Sequence, residues 1–232
     1  MPINKSTQQG YLGNIVSGRG IFDMYEQELV IPIPEFIGTS SNNITSNVTS
    51  IDFAVPSGTK NGDFAVAMLS GGAGANDVGD WANSQGFTSL YENVSDNPNS
   101  AIFYKILDGT EGANFTFTTN NACKLSGEIV VYRGSNSILS SSENIEAGNA
   151  TRTATSITAS INTILFAFFI VNGDNRVFSN PPSDLTLLRT YSGSHKHNYW
   201  IGYKTVTTSG PTGNYTITVD SIQSGESFLF TI

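Results

Sequence analysis

Val55-Pro56-Ser57-Gly58, Asn61-Gly62-Asp63-Phe64-Ala65-Val66-Ala67-Met68-Leu69, Gly86-Phe87-Thr88, Ala101-Ile102-Phe103-Tyr104-Lys105-Ile106, Gly109-Thr110-Glu111, Asn114-Phe115-Thr116-Phe117-Thr118 and Ile129-Val130-Val131-Tyr132-Arg133-Gly134 follow one another in the sequence. Each piece is a short run of β-branched, aromatic or small apolar residues closed by Gly, Asn, Asp or Pro. Such runs suit a pleated, half-buried strand, and the closing residues supply the turns.

Outward from this stretch the pattern stays β from Glu35 to the end. Strands are expected near 48–55, 62–70, 87–92, 101–107, 114–119, 126–133, 153–159, 162–171, 185–191, 198–207, 213–219 and 226–232. Ile51, Phe53 and Val55 alternate with Ser50, Asp52 and Ala54, and Tyr215, Ile217 and Val219 alternate with Thr216, Thr218 and Asp220. Ile164 to Val171 is continuously apolar, as in a strand covered on both faces. Many short strands with dense turns and no helical interludes predict an all-β antiparallel sandwich, jelly-roll-like, over residues 35–232. No solenoid-type repeat is visible.

Residues 1–34 read differently. Asp23-Met24-Tyr25-Glu26 has capping-box spacing after Phe22, and Ile21, Phe22, Met24, Tyr25 and Leu29 give a short helix an apolar face. Val30-Ile31-Pro32-Ile33-Pro34 is then extended, because each proline drives its predecessor out of the α region. The segment reads as an attachment arm that docks on something else.

The 232 residues are 38% hydrophobic and only 13% charged, with a net charge of −8. No Lys/Arg cluster occurs, so nucleic acid is not an expected partner. The longest apolar run falls far short of the roughly 20 residues of a membrane span, so no membrane insertion is expected. The opening Met1-Pro2-Ile3-Asn4-Lys5 has no apolar signal core, which predicts a soluble chain made in a cytoplasm. Cys123 is the one cysteine, expected to pack as a small apolar residue.

The motif series, read as Val-Pro-x-Gly, Gly-Asp followed by apolar residues, Gly-Phe-Thr, Tyr-Lys, Gly-Thr-Glu, Phe-Thr-Phe and Tyr-Arg-Gly, resembles a β-sandwich module of tailed-bacteriophage virion proteins, including tail fibres. The matching residues are Val55, Pro56, Gly58, Gly62, Asp63, Ala67, Gly86, Phe87, Thr88, Tyr104, Lys105, Gly109, Glu111, Phe115, Phe117, Tyr132, Arg133 and Gly134. Gly20-Ile21-Phe22-Asp23-Met24-Tyr25-Glu26-Gln27 is similar to a short N-terminal segment of phage tail and virion proteins, with Met24 at a leucine position. The resemblance implies a virion location, docking on other virion proteins through the arm, a homo-oligomer (a trimer by preference), and host-surface recognition as a tail fibre or adhesin. A capsid decoration protein and a free lectin-like module are the alternatives. It brings no catalytic residue and no cofactor.

Residue by residue, the series is structural. Phe103, Phe115, Phe117 and Tyr132 should fill the interior, and Lys105 and Arg133 have Glu111 and Glu128 as candidate partners, with solvated surface charges the competing reading. His195 and His197 would share one strand face and could meet one metal, although two ligands make an incomplete site and an exposed polar loop is the favoured reading. Asn76, Asp77 and Asp80 lack EF-hand spacing. No converging carboxylate pair, no Gly-x-Ser-x-Gly and no His-Glu-x-x-His is present, so an enzyme is not expected. Trp81, Tyr91, Tyr191, Tyr199 and Trp200, with Asn and Asp neighbours, are candidates for stacking on a sugar, against a core-packing reading for the same rings.

Overall fold

Fourteen strands and no helix make up the described residues 32–72, 79–93, 99–193 and 197–232 in a computed structural model. Residues 31–232 form one compact unit. The apolar arm residues Ile21, Phe22, Met24, Tyr25 and Leu29, and His195, lie outside the described residues.

The first half of the unit contains β1 (Glu35–Ala54), β2 (Phe64–Gly72), β3 (Trp81–Asn83), β4 (Thr88–Asn93), β5 (Asn99–Ile106) and β6 (Asn114–Arg133). Their antiparallel order is β1-β6-β2-β5-β4, with β3 also on β6. The second half contains β7 (Ser140–Ala154), β8 (Thr158–Ala159), β9 (Ile164–Asn172), β10 (Phe178–Ser179), β11 (Thr186–Tyr191), β12 (His197–Thr205), β13 (Gly210–Pro211) and β14 (Tyr215–Thr231). Their order is β7-β14-β9-β12-β11, with β10 also on β14, and β8 and β13 form a separate pair.

The two orders are the same. β1 corresponds to β7, β6 to β14, β2 to β9, β5 to β12, β4 to β11 and β3 to β10. The correspondence extends to single hydrogen bonds. Gly62, at φ 89°, donates its N–H to Leu107 O at 2.8 Å; Asn162, at φ 64°, donates to Val206 O at 2.8 Å. Leu107 N–H returns to Asp63 O and Val206 N–H to Thr163 O, both at 2.8 Å. A bulge falls between Ser89 and Tyr91 on β4 and between Leu187 and Arg189 on β11. The unit is a structural duplication, a different arrangement from the solenoid-type repeat that the sequence lacks.

Each half is already a small sandwich. Register shifts interrupt the β1–β6 pairing between Ile44 and Ser50, and the β7–β14 pairing between Thr218 and Gly225. At these irregularities the long ladders fold back over their own sheets. Phe117 in the first part of β6 therefore lies 5.5 Å from Phe103 of β5, and 6.2 Å from Phe53 in the last part of β1. Phe87, Phe115 and Phe117 complete this outer core, with Trp81 and Cys123 also buried in it. Tyr215, Ile217, Phe169, Leu229 and Trp200 build the equivalent core of the second half.

The remaining faces of the two inner sheets pack on each other. Phe64, Val66, Met68, Ile102, Val130 and Tyr132 meet Ile164, Phe166, Phe168, Ile170, Tyr199, Ile201, Phe228, Phe230 and Ile232. Strands β2 and β9 are therefore covered on both sides, which accounts for their unbroken apolar runs. The expected all-β antiparallel sandwich is present. Where the sequence suggested separate strands at 114–119 and 126–133, and at 213–219 and 226–232, single bent strands run through.

The Asp63 carboxylate, 1% exposed, explains two of the motif residues. It accepts from Arg133 Nε and Arg133 Nη2, each at 2.9 Å, and from Lys60 N–H at 2.7 Å. Arg133 thus pairs with Asp63, and with Glu35 at 3.5 Å, rather than with Glu111 or Glu128. Lys105 does meet Glu111, at 3.1 Å. The expected interior positions of Phe103, Phe115, Phe117 and Tyr132 hold, although Tyr132 belongs to the central core and the three phenylalanines to the outer one.

Candidate functional site

Five aromatic residues were candidates for stacking on a ligand. Trp81 opens β3 and is 4% exposed, Tyr199 on β12 is fully buried, and Trp200 is 5% exposed. Their rings are covered by the cores they fill. Tyr91 and Tyr191 are half-buried. Tyr191 lies 5.7 Å from Tyr199, and Tyr91 lies 4.7 Å from Phe228 across the junction of the two halves. The structure does not bring the five together. His197 begins β12 opposite Asn172. Among the described residues no group of three or more His, Cys, Asp or Glu converges as a metal site. Among them, too, no helix is long and apolar enough to cross a membrane.

The junction carries a polar layer at one end. Glu226, 1% exposed, accepts hydrogen bonds from the Asn93 amide and the Ser100 hydroxyl of the opposite sheet. Glu128, 2% exposed, accepts from the Thr39 hydroxyl and lies 4.0 Å from Arg189. Burial pushes the Glu128 carboxyl up, against the Thr39 hydrogen bond and the Arg189 charge, which favour the ionised form. The Tyr199 hydroxyl donates to Gly127 O at 3.4 Å, and burial raises its pKa far above the usual range. These groups hold the halves in register.

The matched strands put Arg189 where Tyr91 stands, and Glu128 where Phe228 stands. One edge of the junction thus has an ion pair and the other an aromatic pair. Beside the aromatic pair is a cleft of about 250 Å³, with Leu90, Tyr91, Ile102, Phe228 and Phe230 as its apolar floor and Ser141, Ser142 and Glu143 on its rim.

A second concavity has more hydrogen-bonding character. It measures about 400 Å³ and lies between the β10–β11 connection (Asn180, Pro181, Pro182, Ser183, Asp184) and the approach to and start of β14 (Thr212 and Asn214 before the strand, Tyr215 and Thr216 in it). Pro181 and Pro182 stop β10 after Ser179, because neither has an N–H for the ladder. The connection then swings away from β14 and leaves a gap. Asp184 anchors one wall: Lys204 Nζ lies 2.7 Å from its Oδ2, and the Tyr215 hydroxyl donates to the same oxygen at 3.2 Å. The Lys204 ammonium also sits 5.3 Å from the Tyr215 ring centroid, a cation–π distance.

Charge in this wall is fixed. Partial burial pushes Asp184 up, but the Lys204 hydrogen bond and charge outweigh it and hold the carboxyl below its ordinary value. Burial pulls Lys204 down, and its bond to Asp184 outweighs that in turn. Burial raises Tyr215. Neither the acid nor the amine is poised to move a proton near neutrality, so the arrangement suits hydrogen-bonded recognition. Sequence reasoning missed this pocket, because its residues lie some thirty positions apart and meet only through the strand register.

A scan of family models, a search of curated proteins and a search of solved structures each returned no match for the chain.

Proposed function

We propose that this chain is a non-enzymatic structural protein of a tailed-phage virion, a tail-fibre or adhesin subunit that presents the β-sandwich to the host surface. Residues 1–34 are its attachment arm and grip another virion protein. Copies associate through the particle, in a trimer by preference. The observation that carries the reading is how the phage-like motif series is used. Asp63 clamps Arg133, Lys105 reaches Glu111, and Phe87, Phe115 and Phe117 pack together. The matched residues thus act as one cooperative folding unit, the property expected of a module signature. The polar, charge-fixed pocket at Asp184 supports display and recognition.

The test is localisation on the particle. Gold-labelled antibody should mark the tail, and deletion of residues 1–34 should abolish incorporation while the sandwich still folds. Labelling over the whole capsid would favour a decoration protein that stabilises the head. Wild-type occupancy by the truncated chain would sink the arm.

A further inference from the structure

The duplicated halves hold one slot in two states. In the first half, Gln85 follows β3 and lies along the start of β6. Its Nε2 donates to Asn114 O and to Glu111 O, each at 2.8 Å, and its Oε1 accepts from Thr116 N–H at 2.8 Å. A side-chain amide therefore continues the ladder that β3 leaves at Asn83. Thr116 stands opposite Asp52 of β1, and its N–H points away from β1 toward that amide.

In the second half, Asn214-Tyr215-Thr216-Ile217-Thr218 follows Asn114-Phe115-Thr116-Phe117-Thr118. Thr216 stands opposite Thr153 of β7, and by the same alternation its N–H faces away from β7. The matched pairs Trp81–Thr119 and Phe178–Val219 place Pro182 where Gln85 stands. Proline carries no amide side chain. The slot is consequently open, and it is the pocket lined by Pro182, Asn214 and Thr216.

We propose that this pocket binds an N-acetylhexosamine, with the acetamido group in the place that the Gln85 amide takes in the other half. The acetamido oxygen accepts from Thr216 N–H, and its N–H donates to the Asn214 carbonyl. The methyl group lies on the rings of Pro181 and Pro182. The sugar hydroxyls have the Asp184 carboxylate and the Asn180 amide within the same walls. An amide alone is far smaller than the cavity, and a pyranose fills the remainder. The inference deepens the host-surface reading above and names its ligand class.

The experiment titrates the full-length chain, labelled with ¹⁵N, with N-acetylglucosamine, N-acetylgalactosamine, glucose, and N-acetylglycine amide. One or both N-acetylhexosamines should bind saturably and shift the Thr216 amide resonance. Glucose should bind at least about tenfold more weakly, as expected when a paired amide is lost. Pro182→Gln restores the plug of the other half and should cut affinity at least about tenfold, with an unchanged melting temperature. Equal binding of glucose, an unmoved Thr216 resonance, or undiminished binding by a folded P182Q would each overturn the proposal. Preference for N-acetylglycine amide over every sugar would overturn it in favour of a peptide ligand. The Thr216 readout in the wild type keeps the test decisive if P182Q fails to fold. A negative titration leaves the particle assignment standing, and absence from the particle leaves sugar binding standing.

Discussion

Phe117→Ala should lower the stability of both halves together. Phe117 is fully buried, 5.1 Å from Phe87, 5.5 Å from Phe103 and 6.2 Å from Phe53. Removing such a ring costs about 3–5 kcal/mol through lost burial and the cavity left behind. All of that damage lies in the outer core of the first half. The central core, however, joins six buried side chains of the first half to nine of the second. At about 1.5–3 kcal/mol per buried side chain, even half of that burial is on the order of 10–20 kcal/mol, comparable with the whole stability of an ordinary domain. Neither half should then survive the unfolding of the other. The two tryptophans report on this separately, because Trp81 lies in the first outer core and Trp200 in the second. Urea unfolding is followed by fluorescence in the Trp81→Phe and Trp200→Phe backgrounds. With a slope of about 3 kcal/mol per M, both midpoints should fall by about 1–1.7 M and remain coincident. A Trp81 transition that moves down while the Trp200 transition stays put would refute the coupling.

Glu128→Gln should stabilise the protein at neutral pH. Its folded-state pKa is raised, so the folded form holds the proton more tightly, and the stability linked to that proton is lost as pH climbs above the ordinary carboxyl value of 4.5. The gain over wild type in melting temperature should therefore be present at pH 7 and shrink toward pH 4. A gain that grows on acidification would contradict the sign. Gly127→Ala should cost about 1–3 kcal/mol in chemical denaturation, since a Cβ there would sit 2.7 Å from Met68 O, 2.8 Å from Leu69 Cδ2 and 3.1 Å from Phe53 Cζ. Arg133→Met should lower the melting temperature, because Asp63 is buried and loses both guanidinium bonds; an unchanged melting point would remove Asp63–Arg133 from the folding signature.

Much of the fold could be read from alternation and turn chemistry. Ile164 to Val171 was legible as a doubly covered strand because no polar residue breaks the run. What alternation cannot convey is continuity across a bend. Asn120 and Asn121 look like a turn between strands, yet β6 continues through them. The duplication was hidden for a related reason. Asn114-Phe115-Thr116-Phe117-Thr118 and Asn214-Tyr215-Thr216-Ile217-Thr218 share a pattern common to any polar-apolar strand, and it takes the common strand order and the matched turns at Gly62 and Asn162 to show that it marks equivalence. Of the candidate ligand aromatics, Trp81, Tyr199 and Trp200 are buried, whereas Tyr91 and Tyr191 are half-buried. Trp81 and Trp200 each sit on a strand with the ring turned into a core, a facing that residue type alone does not reveal. The Asp184 pocket depends on Pro182 facing β14, a relation of register with no trace in local sequence.

The central junction also orders events in time. The first half is complete at Arg133, and 99 residues separate it from Ile232. At about 5–20 residues per second, a ribosome needs roughly 5–20 s to supply the rest. Throughout that interval Phe64, Val66, Met68 and Val130 have been made while the side chains that cover them in the central core have not yet been synthesised. Two nascent chains on one message carry the same uncovered surface, and each can lend its later half to the other. Domain-swapped dimers are therefore the misassembly this architecture invites, and dense polysomes are where they should form.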